Sequence, residues 1–232
     1  MAMPTFAEKV IDFFRDLEYS GTLPAGISVM NPFKENLNVF DVVSRFYRKY
    51  YSDGLTRSII LGINPGRFGA GATGIPFTDT IRLQDKCGLS LPGIKTYETS
   101  SVFIYDVIDM YGGPYLFYRD YFISSVSPLG FTKRGPKGNE VNYNYYDSRE
   151  LTDAVYDFAV MSIKKQLDFG INREKAYCLG TGKNFRFLQK LNSEQHLFGT
   201  VVPLEHPRFI MQYRSKQKED YINHYISKLK ID

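Results

Sequence analysis

The sequence predicts an α/β fold, a single domain in which a central, mostly parallel four-stranded sheet lies between two layers of helices. Three observations carry this. Four short apolar runs, Ser58–Leu61, Tyr121–Ser127, Ala176–Leu179 and Thr200–Leu204, read as buried strands. Segments with apolar residues at helical spacing alternate with them, which is the order of a parallel sheet with crossover helices. Each strand also runs into a polar or glycine-rich loop. In such sheets ligands sit beyond the carboxyl ends of the strands.

Taken in order, Phe6, Val10, Phe13, Phe14 and Leu17 form one face of a first helix. Val39 to Tyr50 repeats the pattern, with Asn38 as its expected cap. The strand at Ser58–Leu61 enters a glycine-rich loop from Gly62 to Asp79. The strand from Tyr121 ends near Ser127-Pro128, and Tyr143 to Asp147 reads as a surface loop. Arg149 to Asp168 is the clearest amphipathic helix, with Leu151, Val155, Phe158, Ala159 and Ile163 on one face. After the strand at Ala176, Gly180-Thr181-Gly182 precedes a helix at Phe185–Leu191; the last strand ends before His206-Pro207, and Ser215–Lys228 closes the chain as a helix. The loops 64–79, 124–129 and 206–212 are therefore expected to meet in one crevice.

The 232 residues suit one domain, with residues 1–50 as a helical N-terminal part and the core from about residue 55 onward. No apolar stretch approaches the ~18 residues of a membrane span, and the N-terminus intersperses charges among its apolar residues, unlike a secretory signal. A cytoplasmic, monomeric protein is expected. Two cysteines, Cys87 and Cys178, are too few for a cysteine-held zinc or iron–sulfur site, and no metal or cofactor is expected. The net charge of +4 favours anionic partners, and eighteen Tyr and eighteen Phe offer surfaces on which bases can stack, though most belong in the core.

The glycine loop contains a formal GxGxxG at Gly69, Gly71 and Gly74. A dinucleotide fingerprint needs those glycines directly after the strand and opening a helix, whereas here the strand ends several residues earlier and Pro76 follows. A P-loop fails more firmly, because Ile75 and Pro76 stand where its Lys and Ser/Thr belong. Gly66, Gly69, Gly71 and Gly74 with Pro65 and Pro76 instead fix an unusual backbone path that brings amides close to a flat ligand. Asn64 at the strand exit and Phe77 at the loop's end add an amide and an aromatic face; in isolation they read first as a turn cap and core filler.

The loop closely resembles the first motif of uracil-DNA glycosylases of the single-strand-selective monofunctional (SMUG) type. Asn64-Pro65-Gly66-Arg67-Phe68-Gly69 is followed without a gap in register by Gly74-Ile75-Pro76-Phe77. The second motif of that family, His-Pro after the last strand, is matched by His206-Pro207-Arg208-Phe209, about 140 residues on. The resemblance implies a uracil-DNA glycosylase-like fold and a DNA glycosylase acting on damaged bases, with DNA as partner. It implies that Asn64 positions the attacking water and that His206 stabilises the leaving base. Gly66, Phe68, Ala70, Phe77 and Ser125 would line the base pocket, Phe77 as the stacking platform. Arg208, Phe209 and Ile210 would form a wedge in the DNA stack. Arg67, Lys133, Arg134, Lys137, Lys183 and Arg214 are the basic residues expected to meet phosphates, together with Arg82 near the strand ends.

Two departures stand out. The family pattern has asparagine three residues before Pro-Leu, where this chain has Ser125 before Pro128-Leu129. The usual Ser-Pro after His-Pro is also missing. Both imply a divergent branch, for which a bacterial SMUG-like lineage fits best. A serine hydroxyl makes one adaptable contact where asparagine makes two fixed ones, so looser discrimination is expected, extending from uracil to xanthine and hypoxanthine. Asp79 is expected to be structural, and His196 and His224 to be ordinary solvated histidines. The alternative is a non-catalytic nucleic-acid-binding protein of the same fold, which would bind DNA without releasing a base; a nucleotide-binding role for Gly180-Thr181-Gly182-Lys183 rests on too short a motif.

Overall fold

The computed structural model describes residues 3–229. Helix α1 (Phe6–Asp16) begins with a reciprocal cap: the Glu8 N–H donates to the Thr5 hydroxyl, and the Thr5 N–H donates to the Glu8 carboxylate. A strand β1 (Ile27–Met30) and a one-turn helix α2 (Pro32–Glu35) lead into α3 (Leu37–Tyr51). Its cap is Asn36 rather than the expected Asn38; the Asn38 N–H is the group that Asn36 satisfies. Strand β2 (Arg57–Gly62), helices α4 (Ala70–Thr73), α5 (Thr80–Cys87), α6 (Thr99–Tyr111) and α7 (Pro114–Asp120), and strand β3 (Tyr121–Ser125) follow. Then come β4 (Gly130–Arg134), β5 (Glu140–Tyr143), α8 (Arg149–Leu167), β6 (Ile171–Leu179), α9 (Lys183–Gln195), β7 (Thr200–Leu204), α10 (Pro207–Tyr213) and α11 (Lys218–Leu229).

The four expected strands form one parallel sheet in the order β3-β2-β6-β7. Gly62 pairs with Ser125 and Leu61 with Cys178, so the strands end nearly level and their exit loops share one edge. Alternation along β3 places helices on both faces. Phe122 packs on Phe6 of α1 and Tyr47 of α3, while its neighbour Tyr121 packs on Tyr111 of α6 and donates its hydroxyl hydrogen to the Leu229 carbonyl at the end of α11. Each fully buried aromatic contributes ~1.5–3 kcal/mol of transfer free energy, so this layered core supplies the rigid frame on which the loops hang. At the amino end of β2, Arg57 is buried between Phe6 and Tyr51, its guanidinium carbon 4.6 and 4.7 Å from the two ring centroids.

A second, antiparallel sheet, β1-β4-β5, was not legible as strands. Lys133 and Arg134, two of the residues expected to meet phosphates, belong to β4, and only residues 135–139 turn. The expected surface loop from Tyr143 is corrected as well: Tyr143 ends β5 and Tyr145 is completely buried. The polar, glycine-interrupted run that misled the reading is an edge hairpin whose packing comes from tertiary contact rather than from its own apolar alternation. Among the described residues no helix is long and apolar enough to cross a membrane.

Candidate active site

The three expected loops meet at the carboxyl edge of the large sheet around a cavity of about 520 Å³, lined among others by Asn64, Phe77, Ser125 and His206. The glycine loop holds its shape by folding on itself. The N–H groups of Gly69 and Gly71 both donate to the Gly66 carbonyl, at 3.1 and 2.9 Å. A side chain on Gly71 would come within 2.7 Å of that oxygen, and Gly74 takes a left-handed φ of 71° tight against Val43. The spacing that mimics a dinucleotide fingerprint thus serves the turn itself.

Asn64 is clasped from across the crevice. Its Oδ1 accepts from the Tyr145 N–H at 3.1 Å, and its Nδ2 donates to the carbonyls of Tyr143 and Pro65, both at 3.3 Å. A main-chain donor on one side and acceptors on the other define which end of the amide is oxygen. Oδ1 keeps a second lone pair for a water. The clasp is itself anchored, because the Tyr145 hydroxyl donates to Asn184 Oδ1 of α9 at 2.6 Å.

Phe77 adopts φ 52°, a left-handed conformation rare outside glycine and costly for an aromatic residue. The strain turns its ring onto the end of β2, where Gly62 leaves room: a Cβ there would sit 2.8 Å from the ring and 3.3 Å from the Ser125 hydroxyl. Ring, hydroxyl and strand end therefore form one corner of the cavity. The His206 imidazole stands 5.9 Å from the Phe77 ring, centre to centre.

His206 caps α10, its Nδ1 accepting from the Arg208 N–H at 3.1 Å. An accepting Nδ1 leaves the proton on Nε2, so the neutral ring is an N–H donor. Burial, with the Arg208 charge adding to it, pushes its pKa down to about 4. Asp79 has no free role in the cavity: fully buried, it accepts from the Arg82 and Glu98 N–H groups and from the Arg82 guanidinium. Arg82 is thereby committed to α5 rather than to an outside phosphate.

The remaining expected residues divide. Gly66, Ala70, Lys183, Arg208 and Phe209 line the cavity or its mouth. Arg67 is tied to the hairpin, its N–H donating to Asn142 Oδ1 at 3.0 Å and its guanidinium to the Glu140 carbonyl. Lys133, Arg134 and Lys137 are exposed on the hairpin, away from the cavity wall, and Arg214 lies over the Phe209 ring outside it. Two expectations are overturned. Phe68 is 54% exposed and stacks with Arg67, so it does not line the base pocket. Ile210 is completely buried, because one turn after Pro207 the helix carries it to the core face, so of the expected wedge only Arg208 and Phe209 are exposed.

Three contributors escaped the sequence. Asn142 and Asn184 line the cavity without belonging to any motif. Glu98 also lines it, and burial pushes its pKa up to about 6, aided by Asp79 and opposed by the Ser101 hydroxyl and Arg208. An acid just before a helix was the only signal, and it is shared with countless surface residues.

The sequence model of the uracil DNA glycosylase superfamily matches residues 48–230. Among solved structures the chain is similar to wild-type SMUG2 of Pedobacter heparinus, with 53% identity, a TM-score of 0.95 and 97% of each chain covered. No curated protein sequence matches it.

Proposed function

The chain belongs to the uracil-DNA glycosylase superfamily, as a SMUG-like DNA glycosylase that hydrolyses N-glycosyl bonds, and from that premise we propose that it releases uracil and the deaminated purines xanthine and hypoxanthine from DNA. The observation that carries this reading is the convergence of an oriented amide, Asn64, and a neutral N–H donor, His206, on one cavity beside the Phe77 ring.

The damaged base reaches this cavity by flipping out of the stack, at a cost of a few kcal/mol that is smallest for mismatched or single-stranded sites. Phe77 stacks on the flipped ring. Asn64 cannot usefully take a proton, so it holds the attacking water through Oδ1 and contributes orientation. As the sugar approaches an oxocarbenium ion, negative charge grows on the base. The Nε2–H of His206 donates to that charge, and a fixed donor of this kind is worth ~2.7–4 kcal/mol, a factor of ~10²–10³ in rate. The lowered pKa suits the task, since a neutral donor needs no counterion and holds its proton across physiological pH.

Ser125 sets the breadth of the substrate range. Its hydroxyl can donate or accept, so it can meet the edges of uracil, xanthine and hypoxanthine alike. Arg208 and Phe209 at the mouth fill the gap left in the stack, and Lys183 with the exposed hairpin cations meets phosphates, which makes binding salt-dependent.

The test is incubation with labelled oligonucleotides containing uracil, xanthine or hypoxanthine, followed by alkaline cleavage of abasic sites. Release of all three bases is expected from the wild type, and Asn64→Ala should lose at least ~10²-fold on each. Cleavage of uracil alone would refute the broad range.

A further inference from the structure

Glu98 stands immediately before α6 and lines the same cavity as Asn64, Phe77, Ser125 and His206. Its carboxyl lies over the glycine loop. A methyl group on Gly69 would overlap Oε2, and one on Gly66 would come within 3.3 Å of Oε1. Gly66, having no side chain, leaves that side of the cavity to the carboxyl. The Ser101 hydroxyl donates to Oε2 at 3.2 Å, which leaves Oε1 as the oxygen available to a ligand.

A carboxylate in a cavity that receives polyanionic DNA is unfavourable, whereas a carboxylic acid is not. Burial favours the acid at Glu98, with a pKa raised to about 6. The charges that face it are accounted for. Asp79 is paired with Arg82 on α5, Arg208 lies beside neutral His206 on α10, Lys183 begins α9, and the Arg67 guanidinium is turned to the Glu140 carbonyl.

Uracil departs as a stabilised anion, for which one donor suffices. A purine differs in carrying a basic lone pair at N7, two bonds from the nitrogen that holds the sugar. Protonation there turns an anionic leaving group into a neutral one. We propose that Glu98 is the general acid for deaminated purines, delivering its proton to N7 of the flipped base as the bond to the sugar breaks. The step balances. The proton moves from the Glu98 carboxyl to N7, and the electron pair of the C1′–N9 bond stays with the base. The water held by Asn64 forms the new C1′–O bond and sheds a proton to solvent, from which Glu98 is reprotonated. This rests on the reading that the site accepts deaminated purines.

The test is Glu98→Gln, which keeps the shape and the Ser101 contact but has no acid to give. Single-turnover excision of hypoxanthine and of uracil is measured between about pH 5 and 8. His206 stays neutral over this range, so its titration does not intrude. In the wild type, hypoxanthine excision should decline above about pH 6 while uracil excision changes little. Glu98→Gln should lose ~10²-fold on hypoxanthine with a flat pH profile, and the loss on uracil should be at least about tenfold smaller. Equal losses on both bases, or undiminished hypoxanthine excision, would overturn the proposal while leaving the substrate reading intact. A wild type that cuts uracil and no purine removes the substrate reading, and the proposal with it. If the glutamine variant does not fold, Glu98→Asp serves: it should retain the decline with pH at a reduced hypoxanthine rate, and a pH-independent rate would count against the acid.

Discussion

At the amino end of β2, Arg57 uses its donors on Asp53, Leu55, Tyr50 and Tyr118 and is covered on both faces by aromatic rings. At the carboxyl end, Gly62 has no side chain, Phe77 is strained, and the polar groups of Ser125, Glu98 and His206 line the cavity. The six-residue strand β2 runs from an end whose donors are all engaged within the protein to one whose neighbours turn polar groups to the cavity. With the proposed site, stability and chemistry are allotted to opposite edges of one sheet, and substitutions at the two ends should fail in different ways.

The largest expected effect is at the open end. His206→Ala should lower single-turnover uracil excision by ~10²–10³-fold. Its melting temperature should stay close to wild type, and a collapse of the fold would show that the two ends are not separable. The converse is Arg57→Met, which strands Asp53 and should cost about 3 kcal/mol of stability in a urea titration, discounted for Asp53's partial exposure. Excision per folded molecule should be unchanged. A smaller effect is expected of Gly62→Ala, whose methyl must displace the Phe77 ring; a ~10-fold loss of excision with little change in melting would place it with the open end.

The finest test is the pH dependence of stability. His206 drops from an ordinary 6.5 to about 4 on folding, so between those values the unfolded chain binds a proton that the folded chain does not. Its contribution is complete above about 6.5 and is lost as the pH falls toward 4. Glu98 works in the opposite sense: raised from 4.5 to about 6, it favours the fold below 4.5, and that gain disappears as the pH rises through 6. In the overlap the two slopes oppose. His206→Asn should therefore be more stable relative to wild type at low pH than at neutral pH, and a constant difference would remove the burial argument for His206.

The parallel sheet was legible because its strands are short apolar runs between amphipathic helices, a pattern that burial on two faces imposes. Asn64, Phe77 and His206 were legible because the loops that carry them resemble the two SMUG motifs in residue type, order and separation; without that resemblance they read as a turn cap, core filler and an ordinary histidine. The hairpin was not, since its strands carry Lys133, Arg134, Asn142 and other polar residues, and their pairing depends on partners far along the chain. Glu98 was invisible for a related reason. Its significance comes from the cavity it faces, and nothing local in Thr96-Tyr97-Glu98-Thr99 marks that. Ile210 shows the limit of motif reasoning: the wedge was assigned by adjacency to His-Pro, and helical periodicity overrode it.

The partner that fixes the His206 ring is the main-chain N–H of residue 208, not its side chain. Almost any amino acid at 208 would supply the same hydrogen bond, proline being the exception. Under the roles proposed above, the side chain that meets DNA at this position can therefore change without removing the hydrogen bond that fixes the His206 tautomer, and only the Arg208 charge that helps lower the His206 pKa is lost with it. On those roles, the main chain of residue 208 orients the imidazole while its side chain serves DNA binding, two tasks carried by separate parts of one residue.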